Sequence, residues 1–246
     1  RGGEKSSGSF RAAMVGLTYR QITDAMAWFT ADYQRFFKDL AAHNDRDWFH
    51  ANKKRYETSV KKPFEAFVQE LIDRMGKLDK QYRITPKEAI FRIHRDVRFS
   101  NDKTPYKLNS SALITAGGRK GMGLPGMYFE LGPEHLRAYG GHYMPDKDTL
   151  YQVRTKIAKD PKAFRKLYEG KRFKELFGGV RGERNKVLPK EFKAAAEGEP
   201  LLFNKQFYYF SQLPAGKVTS PQLAELFMER FDAMRPMNDY LFSLKG

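Results

Sequence analysis

Thr85-Pro86-Lys87-Glu88-Ala89-Ile90-Phe91-Arg92-Ile93-His94-Arg95-Asp96-Val97-Arg98-Phe99 carries two local signals that disagree. Thr85 to Glu88 has the form of a capping box with proline at the first helical position, which starts a helix. From Ile90 onwards apolar residues alternate with Arg92, His94, Asp96 and Arg98, the period-two pattern of a strand, interrupted by Arg95. We resolve the conflict as one helical turn followed by a strand from about Ile90, opening into a loop near Asp96. Here the chain changes from helix to sheet.

Upstream the pattern is helical. Thr30 caps a helix over Ala31 to Ala42, with Tyr33, Phe36, Phe37 and Leu40 at helical spacing. After a break at His43-Asn44-Asp45, Asn44 or Asp45 caps a second helix through Trp48, Phe49, Tyr56 and Val60, and Pro63 opens its continuation through Phe64, Phe67, Leu71 and Met75. Trp48-Phe49 reads as core. Downstream, Lys107 to Thr115 reads as a strand, and Ala116 to Gly126 as a mobile loop or lid with five glycines. Met127 to Leu131 and His135 to Tyr139 flank Gly132-Pro133-Glu134 as a hairpin that Gly140-Gly141 ends. Helices follow from Asp146 or Asp148 and from Asp160-Pro161, and Gly178 to Pro189 is a basic, irregular connection. Leu201-Leu202-Phe203 and Phe207 to Phe210 read as strands, and Ser220 to Met234 as a last helix that Pro236 breaks. The order is α+β: N-terminal helices, a central mostly antiparallel sheet and C-terminal helices.

The 246 residues fit one domain, expected over 29–246. Residues 1–28, opening on the Gly/Ser-rich Arg1 to Ala13, are expected to be a disordered leader or a remnant of cloning. Hydrophobic residues at 41% and aromatics at 14% argue for a globular protein. The formal charge of +16 leaves many cations without an acidic partner and favours polyanions or phosphorylated metabolites. Zero cysteines exclude disulfides, thiolate metal sites and cysteine nucleophiles. No run reaches the length of a membrane span and the first thirty residues lack a signal-peptide core, so a cytoplasmic protein without a membrane partner is expected.

Arg92 to Tyr106 packs Arg92, Arg95, Arg98 and Lys103 together with Asp96 and Asp102 among apolar residues. Charges this dense pair with each other or with an anion, because burying one unpaired is costly. On an extended segment Arg92, His94, Asp96 and Arg98 share one face while Arg95 points to the apolar side. Arginine suits an anion site, since its guanidinium stays charged and forks onto carboxylate or phosphate. Arg92, Arg95, Arg98, Lys103, Tyr106 and Lys107 are the candidate ligand-binding residues, for a phosphorylated or carboxylated small molecule. Asp96 or Asp102 is the candidate general base, with the arginines stabilising developing negative charge. A structural ion-pair network would look the same in sequence.

Other signals are weaker. None of the five histidines sits in a metal-ligand spacing, and neither a metal nor a cofactor is expected. The glycine loop lacks the G-K-S/T of a P-loop. Nucleic acid is the alternative partner, with Lys53, Lys54, Arg55, Lys61 and Lys62 as phosphate contacts. Phe207 to Phe210 could stack bases, although core packing explains them more simply. A non-catalytic interaction protein is the third reading.

The run R-x-x-R-D-x-R-F-x-x-x-K-x-P-Y, formed by Arg92, Arg95, Asp96, Arg98, Phe99, Lys103, Pro105 and Tyr106, resembles the signature of a family of bacterial and fungal hypothetical proteins, domain of unknown function 2461. The similarity extends from about Phe29 onwards, through Asn44 to Phe49 (N-D-R-D-W-F), Gly140 to Pro145 (G-G-H-Y-M-P) with Leu150 and Arg154, and Lys205-Gln206-Phe207. The resemblance implies no activity, and it implies that Arg1 to Trp28 lies outside the shared domain.

Overall fold

The computed structural model describes residues 27–244, so most of the expected leader lies outside the described residues. Trp28, at the end of that leader, packs edge-on against Phe67 at 5.9 Å. Helix α1 (Ala31–Ala42) follows the extended Thr30 and buries Tyr33, Phe36, Phe37 and Leu40. The Asp45 side chain accepts the Trp48 N–H and caps α2 (Arg46–Ala51). The expected continuous second helix is instead α3 (Lys53–Tyr56), a widened π turn over Glu57–Lys61, and α4 (Lys62–Leu78). Pro63 accounts for the widening: it has no N–H to donate one turn back, and its ring crowds that carbonyl. Helix α4 then buries Phe64, Phe67, Val68, Leu71, Ile72 and Met75.

The capping box forms as read, with the Thr85 N–H donating to Glu88 Oε2 at 2.8 Å, and it starts the single turn α5 (Pro86–Ala89). The strand expected after it does not become regular. Ile90 bridges Ala112 and His94 bridges Tyr106, so four steps on one side answer six on the other. The chain bends at Leu108 and Asn109, and the ladder slips there. Alternation survives as burial: Arg92, His94, Asp96 and Arg98 are exposed, whereas Phe91, Ile93, Arg95 and Val97 are not.

The sheet is antiparallel in the order β1 (Ser110–Thr115), β2 (Gly126–Leu131), β3 (His135–His142), β4 (Phe207–Pro214). Strand β3 runs past the expected stop at Gly140-Gly141. Gly140 lets the Tyr209 ring lie against the backbone, and Gly141 has φ +84°. These glycines let the strand pass a crowded place; they do not end it. The glycine loop expected to be mobile is tied down: Arg119 donates to the carbonyls of Lys87 and Ile90, and Thr115 Oγ1 to that of Gly118.

Between β3 and β4 come α6 (Lys147–Lys159), capped by Asp146, α7 (Pro161–Glu169), capped by Asp160, α8 (Lys171–Phe177) and α9 (Lys193–Gly198). Leu201 to Phe203 is not a strand but part of a 3-10 turn, Pro200–Phe203, started by the proline and by the Glu199 carboxylate accepting the Leu201 N–H. The closing helix α10 (Leu223–Phe242) runs through Pro236, which was expected to break it. Pro236 is exposed while Met237, Asn238 and Leu241 are buried. Asn238 anchors this last part: its amide donates to the Gly126 carbonyl and accepts from the Gly141 N–H and the Tyr209 hydroxyl.

Alternate residues of the sheet face the helices. Ile114, Phe129, Ala138 and Tyr209 are buried there, and Phe67 of α4 meets Phe129 and Phe227 of α10 edge-on. One cluster of buried residues runs from Phe29 to Leu241. Each fully buried ring in it contributes roughly 1.5–3 kcal/mol of transfer free energy. The opposite face carries Leu113, Tyr128, Glu130, Arg137, Tyr139 and Phe210, all only half-buried.

Candidate functional site

The Arg92 to Lys107 ribbon forms one edge of the sheet: just before it the Phe91 N–H donates to the Ser111 carbonyl of β1, and within it the Lys107 N–H donates to the Ile93 carbonyl. Asn44 fastens it from the helical side. Its amide donates to the Tyr106 carbonyl at 3.0 Å and accepts the Tyr106 N–H at 3.1 Å, occupying both backbone groups as a neighbouring strand would. The Tyr106 ring is buried, stacked on Phe49 at 4.1 Å. Composition and spacing gave no sign of this clamp, since Asn44 read only as a cap.

Most of the ribbon's charge is used internally. Arg95 donates to Asp102, to the Thr104 hydroxyl and to the Thr104 carbonyl. Arg98 forks onto Asp96 through Nε and Nη2 at 3.0 and 2.7 Å, although its side chain is 76% exposed. Lys103 Nζ donates to the Val97 carbonyl. The Arg98 side chain and N–H hold the Asp96 carboxyl at about 2. The N–H and hydroxyl of Thr104, with Arg95, hold Asp102 at about 2. Such carboxylates are firm acceptors and feeble bases.

Two candidates have no such partner. Arg92 is exposed and forms no ion pair with a described residue. Lys107 lies with Nζ 5.3 Å from the Phe91 ring centroid, and burial, then the charge of Arg92, push its amine below the usual lysine range. A small hollow of about 20 Å³ lies where Phe91 and Ile93 meet Lys61 and Phe64 of the helical side, and neither Arg92 nor Lys107 lines it.

A larger hollow, about 550 Å³ and open, lies at the other edge of the sheet. Segment 181–184 pairs alongside 204–208 there, through bridges Arg181 to Tyr208 and Arg184 to Asn204. Gly182 is required, because a Cβ would run into the Gln206 carbonyl. Arg181 lies over the Phe210 ring at 4.2 Å and Arg184 over the Phe203 ring at 5.3 Å, neither in an ion pair with a described residue. Glu183, on the same wall, is matched by Lys205. Behind Asn204, Arg154 is 5% exposed and donates to the Asn204 carbonyl, with Nε unpaired and no carboxylate in reach among the described residues. The signals for this edge in the sequence were the basic character of Gly178 to Pro189 and the family resemblance at Arg154 and at Lys205-Gln206-Phe207.

The helix proposed for nucleic acid is partly spent, since Arg55 pairs with Asp32 and Asp39 and Lys61 with Glu57. Lys53, Lys54 and Lys62 remain exposed. No group of three potential metal ligands occurs among the described residues, and no described helix is long and apolar enough to cross a membrane.

Fold and site together define an α+β protein in which helices back one face of an antiparallel sheet and an arginine-rich ribbon is stitched along one edge. The chain belongs to the conserved hypothetical protein family DUF2461, whose model matches residues 32–240. No curated protein matches the chain.

Proposed function

We propose that this protein binds a phosphate- or carboxylate-bearing ligand at the Arg92–Lys107 edge of its sheet. The observation that carries the reading is the pair Arg92 and Lys107: Lys107 is half-buried and feels the charge of Arg92, and neither cation is in an ion pair with a described residue. A bound anion would relieve both the repulsion and the desolvation of the lysine. Arg95, Arg98 and Lys103 keep the ribbon in shape, and Tyr106 anchors it. Asp96 and Asp102 orient arginines, which favours binding over base catalysis.

The test is thermal denaturation with inorganic phosphate and pyrophosphate at constant ionic strength. Both anions should stabilise the protein, and Arg92→Ala/Lys107→Ala should abolish the effect. No stabilisation beyond the ionic-strength control would refute the reading. A purely structural reading is favoured for Arg95 alone, by its bonds to Asp102 and Thr104. Arg95→Ala should therefore lower stability and leave the response to phosphate intact.

A further inference from the structure

The half-buried face of the sheet carries a row of rings that core packing does not explain. Phe91 on the ribbon meets Tyr128 of β2 at 5.9 Å, Tyr128 meets Tyr139 of β3 at 5.4 Å, and Tyr139 meets Phe210 of β4 at 5.2 Å. Register builds this row, since Tyr128 lies opposite Tyr139 and Tyr139 opposite Phe210. The fully buried aromatics Phe129, Phe207 and Tyr209 sit on the other face.

Cations close the row at both ends. Lys107 lies over Phe91 with Arg92 nearby, and Arg181 lies over Phe210, with Arg184 one bridge further along. Arg137 adds a fourth guanidinium, 5.3 Å from the Phe210 ring. The carboxylate on this face, Glu130, is held by the Tyr139 hydroxyl at 2.8 Å and lies within 3.6 Å of Arg137, so its charge is matched locally. The face thus carries a row of tilted rings beside the matched Glu130–Arg137 pair and is positive at its two edges.

We propose that this face is a platform for single-stranded nucleic acid, its bases stacking on Tyr128, Tyr139 and Phe210, its phosphates held at Arg181 and Arg184, and the strand directed towards Arg92 and Lys107. Only the far end of this path rests on the anion reading for Arg92 and Lys107; the rings and the Arg181–Arg184 edge stand apart from it. Every base offers a π face, so stacking on such a row tolerates sequence, whereas a duplex hides its base faces. Crossing the sheet takes several interstrand steps of about 4.8 Å, enough for about four nucleotides, the lower end of single-strand site sizes. The charge complementarity of the two edges selects a polyanion over an uncharged partner.

The experiment is fluorescence anisotropy with a labelled single strand of about ten nucleotides, as DNA and as RNA, against a duplex of equal length. The wild-type protein should bind the single strand at least tenfold more tightly than the duplex. Binding should weaken with salt by a log–log slope of about −0.7 for each phosphate engaged. Tyr139→Leu and Phe210→Leu keep apolar volume while removing a ring, and each should cost about tenfold. Arg181→Ala/Arg184→Ala should weaken binding and flatten the salt slope; thermal melts confirm that the variants fold. Failure to bind single strands at low salt, equal affinity for duplex, or ring variants that bind like wild type would each overturn the platform. Stabilisation by phosphate without oligonucleotide binding would remove the platform and leave the anion site. Oligonucleotide binding that needs the rings and Arg181/Arg184, without stabilisation by phosphate, would support the platform and remove the anion site.

Discussion

At the ribbon edge of the sheet four cations and two carboxylates crowd into Arg92 to Tyr106, and at the opposite edge two arginines stand on an irregular segment with one glutamate between them. The crowded edge leaves only one of its four cations without a partner among the described residues, because Arg95 and Arg98 end on Asp102 and Asp96 and Lys103 on a carbonyl. The sparse edge leaves Arg181 and Arg184 without acids while Lys205 takes Glu183, and it sets the unpaired Arg154 behind them. Charge density along a chain includes its own counterions, so it measures how much pairing takes place and not how much charge remains for a ligand.

Substitutions can break that contrast. The largest effect is expected at Asn44: Asn44→Ala strips both hydrogen bonds from the Tyr106 backbone and should cost about 2 kcal/mol in urea denaturation. Arg184→Ala at the open edge should stay within about 0.5 kcal/mol of wild type. Next, Arg154→Met should raise stability by about 1 kcal/mol, since it removes a buried charge that no carboxylate compensates. Arg95→Ala should instead lower stability by about 1 kcal/mol, because its ion pair is partly exposed but its bonds to Thr104 also fasten the ribbon. Equal signs for these two variants would erase the distinction between a saturated and an unsaturated edge.

The smallest effects are expected in the pH dependence. Burial holds the His142 imidazole below its usual range, with Asp146 opposing, so the unfolded chain takes up the proton first. Stability should therefore fall as pH drops below about 6.5, and His142→Gln should flatten melting temperatures in that window. At the ribbon edge the sign is that of depressed carboxyls. Asp96 and Asp102, both at about 2, contribute stability that is present above the usual carboxylate range and lost as pH falls through it. Asp102→Asn should lower stability near neutrality and remove part of the loss between about pH 4 and 2.

Much of the fold was legible because its cues are local. The capping box at Thr85, the caps at Asp45, Asp146 and Asp160, and the aromatic spacing of α1 and α4 act over a few residues and survive packing. The misreadings arose where a distant partner decides. Gly140-Gly141 reads as a stop until Tyr209 is known to lie against it, and Pro236 as a break until Asn238 is seen tied to Gly126 and Gly141. Leu201 to Phe203 looked like a strand by composition, yet Pro200 and the Glu199 side chain turn it. In the site, the arginines were visible in the sequence but their occupancy was not. Thr104, Asn44 and the Arg181–Arg184 edge emerge only when strands and loops far apart in the chain are set side by side.

A crystal structure of the protein grown in phosphate tests the account most directly, because it reads which guanidinium groups accept an anion. The account predicts phosphate at Arg92 with Lys107 and at Arg181 with Arg184, while Arg95 and Arg98 keep Asp102 and Asp96. Phosphate bound between Arg95 and Arg98 with those aspartates displaced, or no ordered anion at either edge, would contradict it.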